Sequence, residues 1–333
     1  MSTITLAGSR QHVLTIQRQH ALAIRPPQIV ALRRPRPLLS VMAWELRRFR
    51  SSRRFWLQAL GFFCLVLAVM WYGRMPAQFG VGDNASVFVA GTSAWGLLQT
   101  LPIDAAILML LLPFLMADGV TRDLSRRTHE LLMATPLPKW AYVWGRYLMS
   151  LLVSLGLTLL LLAAILGIGV TQHLIMPDYP LPQVGAVLFL WGGMVVPAAV
   201  LVGSLSFALG TLFPLQSTQV KIGILVAWIF GAVILPDLLS RPHMSLPAWY
   251  VDWDPTSRAT AIGTSSQYDA AFKTLSNTAT NPTQLQHFLN TLENKMPDIS
   301  AWLAPHLILA GFSMMLVLVM VFAFRRFRMA FWA

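Results

Sequence analysis

Only 13 residues of this 333-residue chain are acidic, so each acid's placement carries information. Asp104 lies in the apolar run LQTLPIDAAILML. A carboxylate at membrane depth is costly and marks a functional position by default. Asp104 either lines a translocation path or binds a cation there, or it stands at the wet outer edge of an apolar span that starts near Ala105. The second alternative leaves only thirteen apolar residues to Ala117, fewer than the roughly 20 a span needs. Asp237 follows Pro236 at the end of an apolar stretch and reads as interfacial. The run Trp253-Asp254-Pro255 offers an aromatic anchor and a turn, with Trp253 and Pro255 as candidates for an outer gate. The seven histidines, among them His129, His173 and His306, are scattered. None shows metal-binding spacing, and no Gly-x-Ser-x-Gly elbow or other catalytic constellation appears. The single cysteine, Cys64, reads as a small apolar packing residue. The four lysines, Lys139, Lys221, Lys273 and Lys295, never follow Gly, so a P-loop is missing. The chain is expected to bind no ATP by that motif, and no metal or other cofactor.

A second group of charges clusters in DGVTRDLSRRTHELLMATPLPKWAYVWGRYL, from Asp118 to Leu148. Thr128 can cap a short helix and Pro136 can stop it. Around that helix stand Arg122, Arg126, Arg127, His129 and Glu130. The bland alternative is a solvated basic anchor of the neighbouring spans.

These residues need a scaffold, and composition says which kind. Hydrophobic residues make up 56% of the chain and charged residues 11%, with mean hydropathy +0.61. Water-soluble globules carry about 25% charged residues, so lipid must solvate much of this chain. Six apolar segments qualify as spans, at about 55–73, 97–117, 144–169, 184–208, 220–239 and 303–324. The fifth is the shortest uncharged stretch. The fourth carries Gly192, Gly193, Gly203 and Gly210, which allow close helix–helix approach. The expected fold is therefore an all-α integral membrane protein of about six transmembrane helices.

The net charge of +12 is distributed unevenly. Eleven Arg precede residue 55 against the single acid Glu45. With the N-terminus inside, 20 of the 25 Lys and Arg fall on cytoplasmic segments, which places both termini in the cytoplasm. The basic flanks point to anionic membrane lipid as a partner and not to nucleic acid. Residues 1–37 read as a flexible basic arm and 38–54 as an amphipathic interfacial helix, with Leu39, Met42, Leu46 and Phe49 on one face. Residues 55–239 hold spans one to five, with the cytoplasmic loop 118–140 between spans two and three. Residues 240–302 form a small helical extracytoplasmic cap, where Leu285, Phe288, Leu289, Leu292 and Met296 follow helical spacing and Glu293 is expected to face water. Residues 303–333 hold span six and a basic tail. The expected location is the plasma (inner) membrane. The Arg-rich, acid-poor start also allows a mitochondrial inner membrane.

The 118–148 segment resembles the signature of type-two exporter permeases of the ATP-binding-cassette (ABC) class. It shows Arg127-Thr128, Glu130, Leu131-Leu132, Thr135-Pro136 and Gly145-Arg146. Arg127 stands where the family usually has Gly, and Arg146 where it has Lys. The start WELRRFRSSRRFW is similar to the family's connecting helix, and LPAWYVDWDPTSRA to its loop with Leu-Pro and a later Pro. Their order covers most of residues 38–325. The resemblance implies a coupling helix that docks on a separate ATPase subunit through Arg122, Arg126, Arg127, His129 and Glu130. It further implies a second permease chain, with ATP and Mg bound by the partner ATPase and the path formed between the two permeases. The competing readings are a non-transporting membrane anchor or assembly factor, a membrane-embedded enzyme, and a secondary transporter. The last would need inverted repeats, and none is visible.

Overall fold

The computed structural model describes residues 36–72, 75–77, 87–117, 138–176, 179–239, 246–277, 281–298 and 300–330. Residues Pro37–Ala333 form one compact unit; of the unit before it, only Arg36 is described. Six helices are long and apolar enough to cross a membrane. They are α2 (Arg53–Tyr72), α3 (Ala94–Met116), α4 (Lys139–Ile175), α5 (Val184–Leu212), α6 (Pro214–Leu239) and α10 (Leu303–Ala330). Helix α1 (Pro37–Ser51) precedes them. The interval between α6 and α10 folds as helices α7 (Ala248–Trp253), α8 (Arg258–Ser276) and α9 (Pro282–Glu293). Each of the six expected segments falls on one of these helices, and the interval 240–302 holds helices as expected.

The differences from expectation have identifiable causes. The helix holding Asp104 begins at Ala94, before the most apolar stretch, because Ser93 caps it: the Gly96 amide donates to Ser93 Oγ at 3.1 Å. The third span runs to Ile175 and takes in Gln172 and His173, since no Pro or Gly pair interrupts it. The fifth span is a composite: a 3₁₀ turn, an α segment, a π turn at Phe230–Ile234 and a final α turn. Asp237 is exposed in that last turn. An all-α description also omits a short antiparallel ladder, β1 (Met75–Ala77) with β2 (Val87–Val89).

Small residues set the helix spacing. A Cβ on Gly203 would lie 2.7 Å from Met116 Sδ, and one on Gly210 would collide with the Ala117 main chain, so α5 closes directly on the end of α3. Gly193 faces the Trp302 ring in the same way. Gly192 has open space instead. At one end of the bundle, three connections meet. The Thr92 amide donates to Tyr179 Oη at 3.2 Å, joining the α2–α3 connection to the α4–α5 connection. Gln286 of α9 donates to the Phe88 carbonyl and accepts from its amide, both at 3.1 Å, acting as an extra strand for β2. Trp95 at the start of α3 stacks on Tyr268 of α8, centroids 5.6 Å apart.

Glu293 does not face water. It is fully buried, and its Oε2 accepts from the Ala90 amide at 2.9 Å. Packing of Leu285 and Leu289 turns the same side of α9 inward and carries Glu293 with it. Burial pushes its carboxyl up to about 7, opposed by the Ala90 amide and the Ser93 hydroxyl.

Helix α1 also packs differently from its apolar pattern. Its buried face is Val41, Glu45 and Phe49, at helical spacing, while Leu39 and Leu46 are exposed. The reason is a specific partner for the acid, found on α4.

Candidate functional site

Three groups of polar side chains stand apart from the apolar packing. The first joins α1 to α4. Glu45 and Arg146 form a buried ion pair, with Glu45 Oε1 and Arg146 Nε 3.1 Å apart and side-chain exposures of 3% and 1%. Arg48 pairs with the same carboxylate from the solvent side. The Arg146 guanidinium lies over the Tyr142 ring at 4.5 Å and the Trp44 ring at 5.3 Å. Gly145 makes the approach feasible, since a Cβ there would sit 2.8 Å from Val41 Cβ. Glu45, Gly145 and Arg146 thus form one joint between α1 and α4. At the next residue, Tyr147 Oη and Ser204 Oγ are 2.8 Å apart and tie α4 to α5.

The second group is the turn between α7 and α8. Asp254 is buried and organises it: Oδ1 accepts from the Thr256 amide at 2.9 Å and from Thr256 Oγ1 at 2.8 Å, and Oδ2 from the Ala259 amide at 2.6 Å. Burial pushes the Asp254 carboxyl up, while these donors and the nearby His306 hold it down. Ser257 takes the left-handed conformation, φ 63°, the sole non-glycine residue with positive φ among those described. This strain, of about 1–3 kcal/mol, aims its hydroxyl at two partners. Both His306 Nε2 of α10 and the Met194 carbonyl of α5 lie 3.3 Å away.

Met194 sits in a π turn, Trp191–Val195, and the π turn of α6 receives the cap alongside it. The Tyr250 hydroxyl donates to the Gly231 carbonyl at 3.3 Å, and Gly231 lacks a Cβ where Thr256 packs. π turns interrupt the regular ladder and are frequent at functional sites. Here both accept hydroxyls from the cap.

The Ser257–His306 contact has a defined donor and acceptor. His306 Nδ1 is 2.7 Å from the Trp302 carbonyl, so Nδ1 carries hydrogen. With neutral imidazole, Nε2 accepts from Ser257. Both residues are buried and join the cap to α5 and α10.

The third group is a single residue. Asp104 is 0% exposed, and neither carboxyl oxygen has a hydrogen-bond partner among the described residues. It stands ten residues, roughly 15 Å, from the first residue of α3 and twelve, roughly 18 Å, from the last. The helix thus begins eleven residues before Ala105, and Asp104 lies near the middle of its length.

Of the other candidates, Trp253 is exposed and Pro255 half-buried. The buried contacts of that turn are made by Asp254, Thr256 and Ser257 instead. Arg122, Arg126, Arg127, His129 and Glu130 lie outside the described residues. Lys139 begins α4. Sequence reasoning missed the Glu45–Arg146 pair, Ser257, His306 and the buried state of Glu293. Glu45 was detectable as the lone acid among eleven arginines; the others gave no local signal. Comparison with models of known protein families gives no match, and comparison with curated proteins gives none.

Proposed function

We propose that this chain is the membrane-spanning permease subunit of an ABC transporter of the type-two exporter class. Separate ATPase subunits would drive it, and it would form its path with a second permease chain in the plasma (inner) membrane, both termini cytoplasmic. The observation that carries the reading is the joint between Glu45, Gly145 and Arg146. It ties the connecting helix to the helix that leaves the 118–140 loop, at the Gly-basic pair by which that loop resembles the family. An amphipathic helix bolted to that position would move with a force applied to the loop. A simple membrane anchor has no need of such a joint. The meeting of the α2–α3, α4–α5 and α6–α10 connections at one end supports an even number of crossings. ATP and Mg belong to the partner ATPase, and Asp104 is the candidate path residue.

The test is co-purification. The tagged chain should be recovered with a separate ATPase and a second permease chain, and should hydrolyse no ATP alone. Glu130→Lys should weaken recovery of the ATPase about tenfold or more while the protein inserts normally, since removing one partner of a desolvated charge contact costs about 2–5 kcal/mol. Asp269→Lys, on an exposed position of α8, is the control and should do little. Reporter fusions after Trp56 and Arg328 should read cytoplasmic, and one near Asn281 external. A stable, active chain that recruits no ATPase would overturn this assignment in favour of an anchor or enzyme.

A further inference from the structure

The elbow between α1 and α2 is built as well as charged. Phe55's amide donates to Ser52 Oγ at 3.3 Å, which caps α2. The Trp56 indole reaches back to the Arg50 carbonyl at 2.9 Å. The rings of Phe49 and Phe55, and of Phe55 and Trp56, pack edge to face with centroids 5.5 Å apart. This fixed corner presents Arg47, Arg50, Arg53 and Arg54, all exposed. None of the four makes an ion pair among the described residues. The one acid of residues 36–72, Glu45, is buried and committed to Arg146 and Arg48. Beside the arginines, Leu39, Trp44, Leu46 and Trp56 are about half exposed. The opposite face of α1 is already occupied by α4.

We infer that this elbow is a binding site for anionic phospholipid. The exposed Leu39, Leu46 and tryptophan rings would enter the acyl boundary, and the four guanidiniums would engage headgroup phosphates. Charge complementarity selects this occupant. Four unneutralised arginines on a rigid corner repel one another unless an anion lies among them, and the adjoining apolar side chains require an acyl phase that free phosphate lacks. Tryptophan and arginine at helix ends are characteristic of the headgroup level. The site is independent of whether the chain transports.

The experiment is native mass spectrometry of the full-length chain from mixed micelles holding equal amounts of phosphatidylglycerol and phosphatidylcholine. The parent should retain phosphatidylglycerol with a preference of about tenfold at low salt, since each basic residue near an anionic surface contributes about 1 kcal/mol, or fivefold, before screening. The R47Q/R50Q/R53Q/R54Q variant should retain both lipids alike. The matching Arg→Lys variant should keep the preference, and so should a cap variant, R258Q/K273Q/K295Q. Excess inorganic phosphate should not displace the lipid; displacement would assign the site to free phosphate and overturn the inference. Equal retention by the parent overturns it whether or not the glutamine variant folds, as does a preference lost equally from the cap variant.

Discussion

Replacing Glu45 by Leu gives the most informative perturbation of the α1–α4 joint. Arg146 would stay buried, 1% exposed, with no carboxylate. Breaking a buried pair from one side costs about 3–5 kcal/mol. The Tyr142 and Trp44 rings remain over the guanidinium and recover about 0.5–2 kcal/mol of that. The expected loss is therefore about 2–4 kcal/mol. Arg146→Met should cost less, about 1–2 kcal/mol, because Glu45 keeps Arg48, whose side chain is 23% exposed and brings water to the pair. The double variant should return close to the parent, since replacing a buried ion pair by apolar residues of similar size is often neutral or stabilising. The assay is denaturant unfolding of the purified chain in detergent, followed by circular dichroism, for the parent, both single variants and the double. The reasoning fails if Glu45→Leu unfolds within about 0.5 kcal/mol of the parent, or if the two single losses simply add.

Other expectations follow from the remaining polar groups. Glu293 titrates in the folded chain near 7, above its ordinary value of 4.5. The folded state therefore holds a proton that the unfolded state releases, and stability falls as pH rises from about 4.5 to 7, by at most about 3 kcal/mol. Glu293→Gln should flatten unfolding midpoints across that window; an unchanged pH profile would mean the carboxyl is solvated. Asp104→Leu removes a buried group with no partner and should stabilise the chain by about 1–3 kcal/mol. If Asp104 lines the path, the same variant abolishes transport, and a variant both less stable and fully active would contradict both statements. Ser257→Ala keeps the left-handed strain and loses the bond to His306, whereas Ser257→Gly loses the bond but relieves the strain. Thermal unfolding should therefore rank Ala below Gly, by about 1 kcal/mol.

The six apolar helices were legible because lipid demands long uncharged runs, and that signal is local and additive. Their ends were less so. Ser93 as a cap and the length of α4 depend on single side chains and on what the helix meets. Neither π turn was visible, since a π turn comes from packing against the cap and has no composition of its own. The three polar groups divide the same way. Asp104 announced itself as an acid in an apolar run. Glu45 looked like an isolated charge in a basic stretch because its partner belongs to another helix. The position of Glu293 on the buried side of α9 followed from docking on β2, a strand too short to expect. Pro255 and Trp253 marked the right turn, yet the neighbours Asp254, Thr256 and Ser257 make its contacts, because short polar side chains reach main-chain atoms that large rings cannot.

The two helices that flank the 118–137 segment are held in different ways. The chain enters that segment from Ala117, against which Gly210 of α5 is pressed without room for a single carbon. It leaves at Pro138, the start of a helix that is clasped within two turns by α1 through Gly145 and Arg146. The helix end before the segment is thus seated in the bundle, and the helix start after it carries α1. Displacement of the helix start would tilt α4 together with α1, and displacement of the helix end would shear α3 against α5. Since α1 also leads through a capped corner into α2, the least enclosed span together with α6, the first motion would swing the bundle's outer wall as a lever about its own entry point.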